Sequence, residues 1–292
     1  MSIPTPADGL ILLNKPEGLT SHDCVVRIRK LLPRKFKVGH GGTLDPFCGG
    51  LLILLLGKAT RLAGLFQAMD KTYEGVIRFG RTTDSYDRDG KVTQEGPLPS
   101  VAGDAWGPLA SRFVGKQQQV PPMFSAKRVG HKRAYELARK GEVFELDPVE
   151  IEIFEFHVKP VSDEDLEFRL RCSSGTYVRA LARDLGKVVE SPAYCETLRR
   201  TAVGPFEVEQ ANDLESPFDG PGFLPFDDIE LGCPLHRVNY TEEKQLLNGQ
   251  NVMAPLSLHG RGGYIKLVSP KGRFIALGTK DGRQIRPRVV FR

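Results

Sequence analysis

Cysteine is scarce and poorly spaced for cross-linking. The five residues Cys24, Cys48, Cys172, Cys195 and Cys233 are odd in number and contain no C-x-x-C pair. That pattern argues against a disulfide framework and a structural zinc site. The six histidines (22, 40, 131, 157, 236, 259) show no H-E-x-x-H or similar spacing, so metal catalysis has no support in the sequence. Long apolar runs are also missing. The longest, Leu51 to Leu56, falls far short of the ~18–20 residues that cross a bilayer. Met1 to Gly9 has no basic region followed by an apolar stretch, so a secretory signal is not expected. These absences predict a cytoplasmic protein without membrane attachment.

What is present is ordinary for a globular chain: 40% hydrophobic and 26% charged residues over 292 positions. That length suits one large domain or two smaller ones. The net charge is only +5, but the basic residues cluster. Val25 to Leu44 holds Arg27, Arg29, Lys30, Arg34, Lys35 and Lys37 with no acid. A second cluster runs from Lys127 to Lys140, and a third from Lys271 to Arg292. Together they can form a phosphate-neutralising face. Three separately solvated surfaces explain the charge equally well.

Periodicity predicts the organisation. Leu10 to Leu13 reads as a buried strand, and Ser21 as the N-cap of a helix that Pro33 stops. Leu51 to Leu56 suits a strand buried on both faces, followed by an amphipathic helix over Leu62–Met69. Thr72 to Phe79 and Leu166 to Cys172 alternate as half-buried strands, and Val149 to Val158 alternates with a bulge near Ile153-Phe154. Helices are predicted over Lys132–Lys140, stopped by Gly141, and over Val178–Leu185. Without a regular βαβ alternation, the expected class is α+β with a largely antiparallel sheet. The breakers of Pro217 to Pro225 read as a linker. It leads to a small β-rich part over 235–292, after a main domain over 1–230.

The densest local signal is Gly39-His40-Gly41-Gly42-Thr43-Leu44-Asp45-Pro46-Phe47-Cys48-Gly49-Gly50. Its glycines permit close backbone approach, and one carboxylate, Asp45, stands in their midst on a loop leading into a strand. Such a group suits a nucleophile or base. By spacing alone, a turn stabilised by the Asp45 side chain is the stronger reading. Asp84 to Gly90 has the acids of a calcium loop, but its register puts Ser85 and Gly96 where ligands belong. It reads better as a turn at Asp89-Gly90 with an acid available to pair a site arginine.

The glycine-rich segment resembles the G-H-x-G-x-L-D-P motif of the TruB family of pseudouridine synthases, which isomerise uridine 55 in the tRNA T-loop. Further stretches are similar in the same order over residues 9–207: Leu12-Leu13-Asn14-Lys15-Pro16, Lys71-Thr72-Tyr73, Arg81-Thr82-Thr83-Asp84, Pro121-Pro122 with Ser125-Ala126, Cys172 to Arg179, and Leu198-Arg199-Arg200-Thr201. The resemblance implies a pseudouridine-synthase fold, a mixed and mostly antiparallel sheet flanked by helices. The tail resembles the family's PUA-like RNA-binding domain in length, position and β character.

The resemblance also implies roles. Asp45 would be the nucleophile and Arg179 its partner. Tyr73 would stack on the target uracil, and His40 would contact RNA near the flipped base. Tyr177 and Leu198 would line the uracil pocket, and Lys15 would support its entrance. The chemistry needs such residues: a carboxylate to assist cleavage at ribose C1′, a guanidinium to orient it, and an aromatic face for an unstacked base. Tyr73 is also expected to be the only local hydroxyl for removing the C5 proton. No redox change or hydrolysis occurs, so no cofactor or metal is required. The implied partner is the tRNA T-stem-loop, without guide RNA or an obligate protein. Two alternatives stand beside it: a guide-RNA-dependent enzyme of ribosomal RNA, and a non-catalytic RNA-binding or tRNA-folding protein.

Overall fold

The unbroken apolar run near residue 50 becomes the middle of the fold. In the computed structural model, which describes residues 7–125, 127–129, 132, 133, 137, 144, 146–256, 258 and 263–292, every residue of Gly49–Leu56 is buried. Its side chains alternate between two cores. Leu52, Leu54 and Leu56 join one, while Leu51, Ile53 and Leu55 join the other. A strand covered on both faces has no reason to alternate polar with apolar residues.

Ten strands form one mixed sheet. They are β1 (Gly9–Lys15), β2 (Val38–His40), β3 (Gly49–Leu56), β4 (Lys71–Phe79), β5 (Gly115–Gln119), β6 (Val149–Pro160), β7 (Asp165–Cys172), β8 (Ala193–Val203), β9 (Phe206–Glu207) and β10 (Phe223–Pro225). The order is β10-β1-β3-β8-β4-β7-β6-β5, with β2 on β3 and β9 on β8. Only the β3–β8 pair is parallel. The expected α+β class with a largely antiparallel sheet therefore holds. The bulge is present too, as a register shift between Ile153 and Glu155.

Among the described residues, the helices α1 (Ser21–Lys30), α2 (Ala63–Ala68), α3 (Trp106–Ser111) and α4 (Val178–Val188) accompany this sheet. Helices α1, α3 and α4 contribute Cys24, Val25, Ile28, Trp106, Leu181 and Leu185 to the first core. Each fully buried leucine or isoleucine there contributes about 1.5–3 kcal/mol. None of the described helices is long and apolar enough to cross a membrane.

Four local expectations change. The N-cap of α1 is Thr20, which forms a reciprocal capping box with Asp23, and the helix ends at Lys30, before Pro33. The helix expected over Leu62–Met69 is α2, trimmed to Ala63–Ala68 and entered through a 3-10 turn over Gly57–Leu62. Pro217–Pro225 is not a free linker. Asn212 bonds Pro217 O and Gly222 N, and Phe223–Pro225 pairs with β1 as the sheet's edge. Of the helix expected over Lys132–Lys140, Lys132–Arg133 is instead a strand paired with Arg128–Val129, Leu137 is helical, and the rest lies outside the described residues together with Gly141.

The tail forms a five-stranded sheet, ordered β11 (Leu235–Arg237), β13 (Tyr264–Val268), β14 (Phe274–Asp281), β15 (Gln284–Val290) and β12 (Val252–Met253). One helix, α5 (Tyr240–Leu247), packs on it and had no counterpart in the sequence reading. Phe274, Leu277 and Phe291 leave this sheet to join the second core of the main sheet. There Phe226, Phe274 and Phe291 stack with ring centroids 4.7–5.0 Å apart. Such pairs add roughly 0.5–1.5 kcal/mol each beyond their burial.

Candidate active site

Strands β3, β8 and β4 lie side by side, and the loop entering β3 crosses their end. A cleft of about 600 Å³ opens there. The loop carries Asp45. Tyr73 stands on β4, Leu198 and Arg200 on β8, and Tyr177 and Arg179 at the start of α4; all five line the cleft with Asp45.

The Asp45 loop is tied from several sides. Ser21, inside α1, accepts from Leu44 N at 2.8 Å and donates to Leu44 O at 3.1 Å. Lys15, buried on β1, donates to the carbonyls of Pro16, Leu19 and Pro46. Gly50 is indispensable at the loop's exit. Its φ is 95°, and a Cβ there would lie 2.3 Å from Arg200 O. Only glycine meets both conditions cheaply.

Arg179 is 4% exposed, whereas the Asp45 side chain is 39% exposed. Arg179 Nη2 sits 2.9 Å from Asp45 Oδ2 and donates to Phe124 O at 3.0 Å. Nη1 donates to Ser85 O at 2.9 Å and faces Asp87 Oδ2 at 3.2 Å. A cation in the first turn of a helix opposes the helix dipole; two carboxylates offset that cost. Asp87 is held by the Ser85 hydroxyl at 2.6 Å. Burial pushes its carboxyl above the usual range, while Ser85 and Arg179 pull it back. The preceding Tyr86 adopts a φ of 58°, a strained value for a non-glycine, and its carbonyl accepts from Cys195 N on β8. The Asp84–Gly90 turn thus pairs an acid with a site arginine.

Two expected residues stand outside the cleft wall. Lys15 lies behind the loop with its donors directed to carbonyls, so it supports the loop and does not meet the entrance. His40 is half-buried one residue before Gly41, and its Nδ1 has no partner among the described residues. Burial pulls its imidazole below the usual histidine range, which keeps it neutral at pH 7.

Tyr73 is not the only hydroxyl. Thr43, Ser125, Ser173, Thr176 and Tyr177 also line the cleft. Burial pushes the Tyr73 and Tyr177 phenols up, which disfavours a phenolate at either position. Cys48 lines the cleft beside Asp45, yet burial pushes its thiol up to about 12, so it carries no nucleophilic thiolate.

Three further polar residues hold the site together, and the sequence assigned no role to any of them, although Lys71 and Arg200 lie in family-like stretches. Gln119 on β5 accepts from Tyr177 N at 2.8 Å and donates to Tyr177 O at 3.1 Å, capping α4 from another strand. Arg200 donates to Leu51, Thr43 and Gly42 carbonyls. Lys71 donates to the last carbonyls of α2, at Phe66, Gln67 and Met69, and burial lowers its ammonium to about 8. Gln119 acts across a chain separation of 58 residues and belongs to no motif of its own.

Residues 29–178 match the N-terminal domain of the TruB family pseudouridylate synthases, and this span contains Asp45, Tyr73, Asp87 and Tyr177. The chain belongs to the TruB family. A relative named tRNA pseudouridine synthase B from Caldanaerobacter subterraneus subsp. tengcongensis is 38% identical over 285 residues, covering 97% of this chain and 99% of that protein. The protein of the same name from Aquifex aeolicus is 37% identical over 292 residues, covering 97% and 99%. Among solved structures, a chain from a Cbf5-Nop10-Gar1 complex superposes with a TM-score of 0.74 at 24% identity, covering all of this TruB chain and 88% of that one. That likeness confirms the pseudouridine-synthase fold, including the small β-rich PUA-like part at the C-terminus.

Proposed function

We propose that this TruB family chain isomerises uridine 55 in the T-loop of tRNA to pseudouridine, acting without guide RNA or a protein partner, in the cytoplasm. The observation that supports this most is the Asp45–Arg179 contact at 2.9 Å inside a cleft walled by Tyr73, Tyr177 and Leu198. The full-length likeness to proteins named tRNA pseudouridine synthase B supports tRNA as the substrate.

The target base leaves the stack to enter the cleft, and the Tyr73 ring replaces its lost stacking. Leu198 and Tyr177 bound the pocket. Arg179 fixes one Asp45 oxygen and leaves the other free to meet ribose C1′ while the C1′–N1 bond breaks. The base then turns within the cleft and rejoins through C5. His40 meets RNA beside the flipped nucleotide, and Lys15 holds the loop in position. Residues 1–230 form the catalytic domain and 235–292 an RNA-binding domain whose three docked aromatic and aliphatic side chains fix it against the catalytic sheet.

The test is positional. Unmodified tRNA and the same tRNA with cytidine at position 55 are incubated with the pure protein, and pseudouridine is mapped. Pseudouridine at position 55 alone supports the reading. Modification elsewhere, or only after a guide RNA is added, overturns it.

A further inference from the structure

Arg179 is neutralised by two carboxylates, Asp45 and Asp87. Arg200 is not. It is 2% exposed, among the largest fully buried side chains, and lines the same cleft. It donates to three backbone carbonyls, Leu51 O at 2.8 Å, Gly42 O at 3.3 Å and Thr43 O at 3.4 Å, and the Tyr73 hydroxyl lies beside it. Among the described residues no carboxylate oxygen lies within 4.0 Å of it. Burying a cation without a counter-ion costs several kcal/mol. A fold that tolerates this beside a reacting base has a use for the charge. Carbonyls engage three of the five guanidinium N–H groups, leaving two. In the sheet Arg200 pairs directly with Tyr73, so the two side chains share a face.

We infer that Arg200 is a catalytic residue of the isomerisation, placed to stabilise the negative charge that appears on the uracil ring when it detaches from the ribose. The inference rests on the reaction proposed above. When the C1′–N1 bond breaks, its electron pair leaves with the base, spread over N1, O2 and O4, and C1′ bonds to an Asp45 oxygen. The negative charge thereby passes from Asp45, which faces Arg179, to the ring, which faces Arg200. When C5 bonds to C1′, Asp45 leaves with the ester's electron pair and recovers its charge. C5 then loses its proton to a base and N1 gains one. A fixed donor that meets charge only as it develops acts on the transition state more than on binding.

The experiment compares Arg200→Gln, Arg200→Lys and wild type under single-turnover conditions, on a T-stem-loop with uridine or 5-fluorouridine at position 55. Fluorine makes the base more acidic and a better leaving group, so cleavage depends less on external charge stabilisation. The readouts are RNA Kd and the rate at which the target nucleoside is consumed. For Arg200→Gln the account expects Kd within about threefold of wild type and a rate on uridine about 100-fold lower. Arg200→Lys recovers about tenfold of that loss, and the defect on 5-fluorouridine is at least about fivefold smaller than on uridine. A rate within threefold of wild type overturns the assignment. So does a loss that follows Kd, or an equal defect on both substrates, which is what a merely structural arginine gives. If Arg200→Gln does not fold, the leaving-group comparison on Arg200→Lys decides by the same criterion. Wild-type turnover in the same assay separates failure of this role from failure of the proposed reaction.

Discussion

Gln119→Leu separates a positioning device from the residues it positions. Gln119 is buried, stands outside the cleft lining, and bonds through its side chain to Tyr177. Its loss orphans Tyr177 N–H, at the first turn of α4, where no residue of the helix can replace it. Tyr177 O keeps a partner, because Leu181 N donates to it at 3.1 Å. One stranded donor costs about 1–2 kcal/mol, and the second lost bond adds roughly 0.5–1 kcal/mol. Leucine nearly fills the vacated volume, so a cavity adds little. The expected loss of stability is therefore about 2 kcal/mol, read as a lower urea midpoint. Arg179 is the second residue of α4, and a loosened first turn lets it drift from Asp45. Misplacement of that kind lowers turnover about tenfold or more with little change in RNA Kd. Stability within about 0.5 kcal/mol of wild type, with full turnover, in Gln119→Leu refutes the reasoning.

Arg179→Lys replaces a planar fork holding two carboxylates and two carbonyls by a single ammonium. The expected result is turnover at least about 100-fold lower with RNA Kd nearly unchanged, checked by single-turnover kinetics and filter binding. Gly50→Ala combines a φ of 95° with a Cβ 2.3 Å from Arg200 O, and is expected to cost at least about 3 kcal/mol by urea unfolding. Lys71 tests linkage. Its folded pKa of about 8 lies below the unperturbed 10.5, so between these values the unfolded chain binds the extra proton and stability rises with pH. The stability difference between wild type and Lys71→Met therefore shifts in favour of wild type by at most roughly 3 kcal/mol between pH 8 and pH 10.5, read from urea midpoints.

The legible parts of the fold are those in which one segment decides its own state. Leu51–Leu56 announces a doubly buried strand because no polar residue interrupts it. The α4 periodicity of Val178, Leu181, Ala182 and Leu185 places Arg179 in a first turn. Asp45, Tyr73, Tyr177, Arg179 and Leu198, far apart in the chain, line one cleft. The illegible parts depend on partners distant in the chain. Ser21 reads as an N-cap by type, yet its hydroxyl serves Leu44, and Thr20 caps the helix. Pro217–Pro225 has a linker's composition, but Asn212 and the free edge of β1 order it. Gln119 belongs to an unremarkable Gln-Gln-Gln run, and nothing local tells which glutamine faces Tyr177. Lys15 sits beside the right loop but behind it, donating to backbone carbonyls, because a motif fixes sequence position and not the direction of a side chain.

The central claim is that the Asp45 carboxylate, oriented by Arg179, performs the isomerisation. Asp45→Asn removes the charge with almost no change of shape. Its single-turnover conversion of a T-stem-loop, measured beside its Kd, is the most direct test. The account predicts Kd within about threefold of wild type and no detectable pseudouridine. Conversion within tenfold of the wild-type rate contradicts it.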